Sequence, residues 1–343
     1  MFVRKMLARA LPLTALGLAA WCPAYAVEEP VKADDVYVTA TRVEKELQDV
    51  PMSVSVMTSE DIKRSPARTI GELLQDVPGV EIRNSGGQGF KRISIRGENP
   101  NRVLILIDGQ KLVENKSMDG TPLLIDPSNV ERVEVIKGPA SVLYGSEAIG
   151  GVVNIITKEP LYNSVTLANT TNISEDGTAD FNTSLNGSFV SDDYKTGVYL
   201  FGMIRDRDSY DRNGDGFSDI PELNSETVGF RAYYKTSPYT RLTAEYHHIH
   251  EFRRGGNAFD LPPHMADIAE QLNHKIDGGG LKFDWFSPDG RHRLGVYASA
   301  QRIGRDSYFG TDRNPDAYGA TGDETFVAGT QYTCSFDRLL FLP

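Results

Sequence analysis

From about residue 161 onward, apolar and polar residues alternate along the chain with a period of two. Val228, Phe230, Ala232 and Tyr234 fall on one face of an extended segment, and Gly229, Arg231, Tyr233 and Lys235 on the other. Phe181, Leu185 and Phe189 oppose Asn182, Ser184, Asn186 and Ser188. Leu281, Phe283 and Trp285 oppose Lys282 and Asp284, and Leu294, Val296, Ala298 and Ala300 oppose Tyr297, Ser299 and Gln301. Such alternation marks strands with one dry face. About eight strands are predicted this way. Residues 196–205 stand apart, being apolar on both faces. The connections alternate as well: 191–194, 237–240 and 288–291 read as short turns, whereas 209–225, 252–274 and 304–323 read as long polar loops. Short turns at one rim and long loops at the other predict an antiparallel transmembrane β-barrel, since a soluble sandwich has no need of that asymmetry.

The pattern before residue 161 differs. Thr58-Ser59-Glu60-Asp61 predicts a helix start with acids in the first turn, and Thr69-Ile70-Gly71-Glu72 fits a capping box before Leu73 and Leu74. Pro78-Gly79 ends that helix. Strand-like runs follow at 92–95, 103–107 and 133–136, with Asp108-Gly109 as a turn signal. Residues 46–160 therefore read as a small α+β domain, preceded by a polar arm over 27–45 with one extended patch at 36–40.

The first 26 residues are an export address. Arg4, Lys5 and Arg9 precede an apolar run over 11–20, and Ala24-Tyr25-Ala26 offers a small-x-small cleavage pattern. Cleavage there leaves Cys334 as the single cysteine and excludes an internal disulfide. The net charge of -11 excludes nucleic acid as a partner, because phosphates need a basic footprint. No nucleophile elbow, P-loop or clustered Cys/His set is present, so no enzyme is predicted and no cofactor is required.

Longer motifs carry a family resemblance. Residues 131–145, Glu-Arg-Val-Glu-Val-Ile-Lys-Gly-Pro-Ala-Ser-Val-Leu-Tyr-Gly, continue as Ala148-Ile149-Gly150-Gly151-Val152-Val153-Asn154-Ile155-Ile156-Thr157. Upstream lie Ile93-Ser94-Ile95-Arg96-Gly97 and residues 103–109, Val-Leu-Ile-Leu-Ile-Asp-Gly. These runs resemble the plug of TonB-dependent outer-membrane receptors. Asp35-Val36-Tyr37-Val38-Thr39-Ala40 is similar to the TonB box of that family. The resemblance implies a plug seated in a barrel of 22 strands. It also implies uptake of an iron complex (a ferric siderophore or haem) or cobalamin, energised by the TonB protein, in the cell outer membrane among lipid and lipopolysaccharide. It further implies that the box grips TonB by adding a strand to a partner sheet. Arg96, Glu131, Arg132, Glu134 and Lys137 would be plug–barrel contacts. Gly97, Gly109, Gly138, Gly145, Gly150 and Gly151 would serve tight turns and close backbone approach. Lys137 stands where the family more often has Arg, which removes bidentate geometry.

Several polar clusters invite ligand readings. In Tyr246-His247-His248-Ile249-His250, strand geometry puts His248 and His250 on one face and His247 on the other. The cluster reads either as rim or lumen polarity or as ligation. Asp211, Asn213, Asp215, Asp219 and Glu222, with Gly216 at the sixth position, match the spacing of a calcium loop. No helical pattern flanks them, so a solvated acidic loop is the alternative. Arg253 and Arg254, with Arg302 and Arg305, could meet an anionic siderophore or lipopolysaccharide phosphates. Tyr233 and Tyr297 face the lumen in this register and could stack on a ligand or simply fill space.

An eight-stranded barrel is filled by side chains and has no room for a plug. The 343 residues therefore read as a signal at 1–26, a box and linker at 27–45, a plug at 46–160 and a partial barrel at 161–343. On that reading the chain is an N-terminal fragment of a receptor. A signalling protein and a truncated, non-transporting product are the rivals.

Overall fold

The computed structural model describes residues 37–38, 45–46, 52–65, 67, 69–85, 90–111 and 127–336. The export address at 1–26, the box residues Asp35, Val36, Thr39 and Ala40, and residues 337–343 lie outside the described residues. Within the box, β1 (Tyr37–Val38) pairs antiparallel with β2 (Lys45–Glu46).

The α+β part is built on a five-stranded mixed sheet and a separate hairpin. β3 (Val54–Met57) leads into α1 (Ser59–Arg64). Thr58 caps α1 as the sequence predicts: its hydroxyl accepts from the Asp61 N–H, and the Asp61 carboxylate accepts from the Thr58 N–H at 2.9 Å. Those hydrogen bonds from Thr58 hold the Asp61 carboxyl below its ordinary value. α2 (Ile70–Leu73) is a single turn capped by Thr69, and it continues as a 3-10 turn over Leu74–Asp76. β4 (Val80–Ser85) and β5 (Phe90–Ile95) form the hairpin. β6 (Val103–Ile107), β7 (Gln110–Lys111), β8 (Val130–Lys137) and β9 (Gly151–Thr157) complete the sheet, in the order β3-β8-β9-β6-β7. A short helix, α3 (Ser141–Tyr144), bridges β8 and β9.

Ile70, Leu73, Leu74, Ile95, Val130, Val133, Val135, Val153 and Ile155 are fully buried in one core between the helical turns and the sheet. Gly151 shows why the motif needs glycine. Its φ is +147°, and a Cβ there would lie 2.5 Å from the Ile136 carbonyl oxygen and 2.8 Å from Ile95 Cδ1.

The second part is one eight-stranded antiparallel sheet in sequence order. Its strands are β10 (Ser164–Ile173), β11 (Ala179–Val190), β12 (Thr196–Arg207), β13 (Glu222–Ser237), β14 (Thr240–Gly256), β15 (Ile268–Phe286), β16 (His292–Thr311) and β17 (Tyr318–Cys334). The sheet is a partial barrel and does not close on itself. The predicted alternation holds along it. Leu185, Leu200, Val228, Leu281 and Phe326 stand exposed on the outer face, while Ser184, Asn186, Ser188, Tyr199 and Thr227 are buried on the inner one. The ambiguous segment at 196–205 falls in β12, with Leu200 and Ile204 outward and Tyr199, Met203 and Arg205 inward and buried. Its inner face is apolar in part because it lies against protein rather than water.

The loop expectations need correcting. The segments read as loops at 252–274 and 304–323 are largely strand: β14 runs to Gly256, β15 begins at Ile268, β16 ends at Thr311 and β17 begins at Tyr318. Only residues 208–221 keep most of the expected loop. The reason is that strands continue past the apolar band. β15 has 19 residues, whereas crossing a bilayer takes about 9–11. Beyond the band both faces meet water or polar groups, so alternation fades while backbone pairing persists.

Candidate functional site

The α+β part touches the inner face of the sheet through a small group of charged residues. Asp108 and Gly109 form the two-residue turn between β6 and β7, with φ of 51° and 76°. Left-handed backbone at both positions is what such a hairpin turn needs, and Asp tolerates it better than most residues. The turn aims the Asp108 carboxylate back along β9. It accepts hydrogen bonds from the Thr157 N–H at 3.0 Å and the Thr157 hydroxyl at 2.7 Å. From the facing wall, Arg231 of β13 pairs with Asp108 at 2.9 Å and donates to the Thr157 hydroxyl at 2.6 Å.

The connector after β9 adds Glu159. This carboxylate takes Arg241 of β14 at 2.9 Å and Arg231 at 3.4 Å. Burial acts to raise the Glu159 carboxyl, but Arg231 and Arg241 more than offset it and hold it below its ordinary value. The Arg241 guanidinium also stacks over the Tyr233 ring, 4.5 Å from its centroid. Further along, Asn186 of β11 donates to the Ser128 hydroxyl at 3.2 Å.

Asp108, Thr157, Arg231, Glu245, His247 and Gln301 border a cavity of about 90 Å³ between the two parts. Nearer the loop rim, Arg205 holds Asp180 by two hydrogen bonds of 3.0 and 2.9 Å, and both residues are buried.

The motif charges take other positions. Arg132 pairs with the fully buried Glu134 at 2.9 Å within the sheet of the α+β part. Arg96 and Lys137 flank Gly79, where a Cβ would lie 3.9 Å from each side chain. Glu131 sits half-buried on β8. Among the described residues, Arg96, Glu131 and Lys137 form no ion pair with the eight-stranded sheet. The contacts that do reach it come from Ser128, Asp108, Thr157 and Glu159, which sequence reasoning missed. A signal for the wall side was present: Arg231 falls on the inner face in the alternation, between Gly229 and Tyr233.

The ligand candidates are not gathered in one place. His247 points inward over Gly278, where a Cβ would come within 2.6 Å of the ring. Tyr297 covers Gly329 in the same way, at 2.5 Å. These are direct cross-strand partners, so each glycine makes the room that its facing ring fills. Arg253 is buried and paired with Glu251. Arg254 is occupied with the loop at 257–267, donating to the carbonyls of Ala258, Phe259 and Leu261 at 3.0, 3.3 and 2.7 Å. His248 and His250 point outward, hydrogen-bonded to Asp277 and Asn273 at 2.8 Å each.

In the acidic loop, Asp211 accepts from the N–H groups of Gly214 and Gly216, both at 2.8 Å, and Asp219 accepts from the Arg212 N–H at 2.8 Å. Asn213 and Asp215 hydrogen-bond each other at 3.0 Å, and Glu222 lies in β13 opposite Arg254. Among the described residues no group of three or more His, Cys, Asp or Glu side chains converges on one point as a metal site.

Comparisons with known proteins agree with this architecture. Residues 46–152 match the TonB-dependent Receptor Plug Domain family. The chain is 44% identical over 126 residues to the vitamin B12 transporter BtuB of Vibrio vulnificus, covering 36% of this chain and 20% of that one. It is 41% identical over 180 residues to the ferric enterobactin receptor PirA of Pseudomonas aeruginosa, covering 47% and 24%. The crystal structure of the siderophore receptor PirA from Acinetobacter baumannii superposes with a TM-score of 0.70 at 20% identity, covering 83% of this chain and 46% of that one. The siderophore receptor PiuA of the same organism gives 0.66 at 19%, covering 89% and 45%. The chain thus spans less than half of the solved receptors and about a quarter or less of the curated relatives it matches. Residues 46–152 thus match the plug family of the TonB-dependent receptors, and the chain as a whole has the fold of a plug followed by part of a receptor barrel.

Proposed function

We propose that this chain is the plug and opening barrel wall of an outer-membrane importer that takes up an iron complex and is energised through TonB. The observation that carries the reading is the bracket of Asp108, Thr157 and Glu159 against Arg231 and Arg241. It seats a folded domain on the inner face of a sheet whose outer face is apolar. That arrangement suits a stopper in a membrane pore, and it offers no reacting constellation for catalysis. The apolar face and the polar strand extensions suit the outer membrane, with lipid at the band and lipopolysaccharide above it. Export would follow from cleavage of the first 26 residues, and Asp35 to Ala40 would be the segment that TonB grips.

Iron is favoured as cargo because a ferric enterobactin receptor shares 41% identity with this chain over 180 residues. A cobalamin cargo is the second reading, because the vitamin B12 transporter shares 44% identity over its aligned part. The acidic loop at 211–222 would take calcium through carboxylate lone pairs left over from the hydrogen bonds that Asp211 and Asp219 accept from backbone N–H groups. Growth rescue by ferric enterobactin, haem or cobalamin, in cells lacking their own receptors, tests the cargo. Rescue by an iron complex supports the first reading, rescue by cobalamin alone replaces it with the second, and no rescue refutes both.

A further inference from the structure

Arg231 has two carboxylates to choose from. In the strand register its direct cross-strand partner is Glu245 of β14. Facing residues in an antiparallel pair have Cβ atoms about 4.5–5.5 Å apart, within easy reach for an Arg–Glu ion pair. Yet the guanidinium leaves the wall and reaches across to Asp108 and Glu159. Glu245 makes no hydrogen bond or ion pair among the described residues, and it borders the cavity beside Asp108. On the other side, the Nε–H of Arg231 is buried and has no acceptor. An unfilled donor on Arg231 thus faces the same wall as an unfilled carboxylate, on the same rung of the ladder.

Two bland accounts fit less well. Glu245 as a plain lumen carboxylate would leave an acid without a cation although a guanidinium stems from the residue directly across the strand pair. Glu245 as a structural ion pair would require contact now, which is absent. Other charges near the site are engaged elsewhere: Lys282 pairs with Asp284 at 3.0 Å, and Arg241 with Glu159 at 2.9 Å.

We propose that Arg231 is a partner-exchange switch. In the plugged state it holds Asp108 of the plug. When the plug moves, it turns onto Glu245, so the guanidinium is never left uncompensated on the lumen wall. Losing one partner of a buried ion pair is strongly unfavourable, and an intramural replacement lowers that cost. Glu245 is then a positioning residue for plug release. The inference rests on the proposed importer reading only in taking plug movement as part of the working cycle.

The test is plug release by urea from the receptor in outer-membrane vesicles. It is followed by maleimide labelling of a cysteine placed at Ser55 of the plug, in a background with Cys334→Ser. Glu245→Gln removes the waiting partner and is expected to move the release midpoint to higher urea, corresponding to about a tenfold smaller released fraction at fixed urea. Glu245→Asp keeps a carboxylate and is expected to release as the unmodified receptor does. A midpoint for Glu245→Gln that is unchanged or lower overturns the proposal. So does a shift of equal size with Glu245→Asp, which would mark a packing effect. Cargo uptake is measured on the same variants. Uptake that ignores TonB defeats the importer reading and leaves the urea result standing, so the two failures are distinguishable.

Discussion

Asp108→Asn is the sharpest perturbation of the plug bracket. The substitution is nearly isosteric, and Asn accepts the left-handed backbone at this turn position at least as readily as Asp. It therefore leaves the hairpin intact and removes charge. In the native protein the Asp108 carboxylate takes three partners: the Thr157 N–H at 3.0 Å, the Thr157 hydroxyl at 2.7 Å and Arg231 at 2.9 Å. An amide offers one acceptor oxygen, and its NH₂ group would face a donor. The Asp108 and Arg231 side chains are 9% and 15% exposed, so solvent screens the pair little.

Removing one partner from a buried pair costs about 3–5 kcal/mol. Here Glu159, at 3.4 Å, still compensates part of the Arg231 charge. A loss of about 2–3 kcal/mol in plug attachment is therefore expected. Urea-driven plug release, read by cysteine labelling of the plug, measures it. A control is Glu60→Gln, which breaks an ion pair whose side chains are 71% and 73% exposed; its cost should stay below about 1 kcal/mol. If Asp108→Asn changes plug release no more than this control does, the bracket does not hold the plug and the reasoning fails.

Three further outcomes follow from the same structure. Gly151→Ala drives a Cβ to 2.5 Å from the Ile136 carbonyl oxygen at a φ of +147°, so it should destabilise the plug by about 2–4 kcal/mol, read as lost protease resistance of the plug; native-like resistance would contradict the packing described. Leu281→Arg puts a charge on the outer face, at a position now 57% exposed, and should cost about 2–4 kcal/mol near the membrane midplane. Heat-modifiable receptor in the outer membrane should fall, and an unchanged amount would place that face elsewhere than in lipid. The third outcome concerns pH. Glu159 has a folded value depressed below its ordinary 4.5, so its contribution is complete above that value and is lost as pH falls through the folded one. Plug attachment should therefore be level at neutral pH and weaken only in acid, and Glu159→Gln should show a smaller acid loss than the native receptor; an equal loss refutes the role of Glu159.

The barrel wall was legible in the sequence because a single physical rule shapes it. One face is exposed and apolar and the other faces protein or is polar, so Leu185, Val228 and Leu281 alternate with Ser184, Thr227 and Lys282. The rule weakens where both environments are alike. Tyr199 and Met203 look as apolar as Leu200 and Ile204 because the plug dries the inner face of β12. Beyond the membrane band no rule of alternation applies, and β14 to β17 continue through segments that read as loops. The plug was legible for a different reason: caps such as Thr58 with Asp61, and the Asp108-Gly109 turn, are local chemistry. Its attachment was not legible. Asp108 and Arg231 lie 123 positions apart, and only the fold shows that an acidic turn residue and a lumen arginine face each other. The motif charges Arg96 and Lys137 drew attention by their setting, and in the fold they flank Gly79.

The central claim is that this plug is a stopper moved by TonB. Uptake of labelled ferric enterobactin by cells carrying the receptor, with and without a functional TonB, tests it most directly. The account predicts uptake in the first cells, its loss in the second, and surface binding of the label in both. Uptake of equal rate without TonB would contradict it.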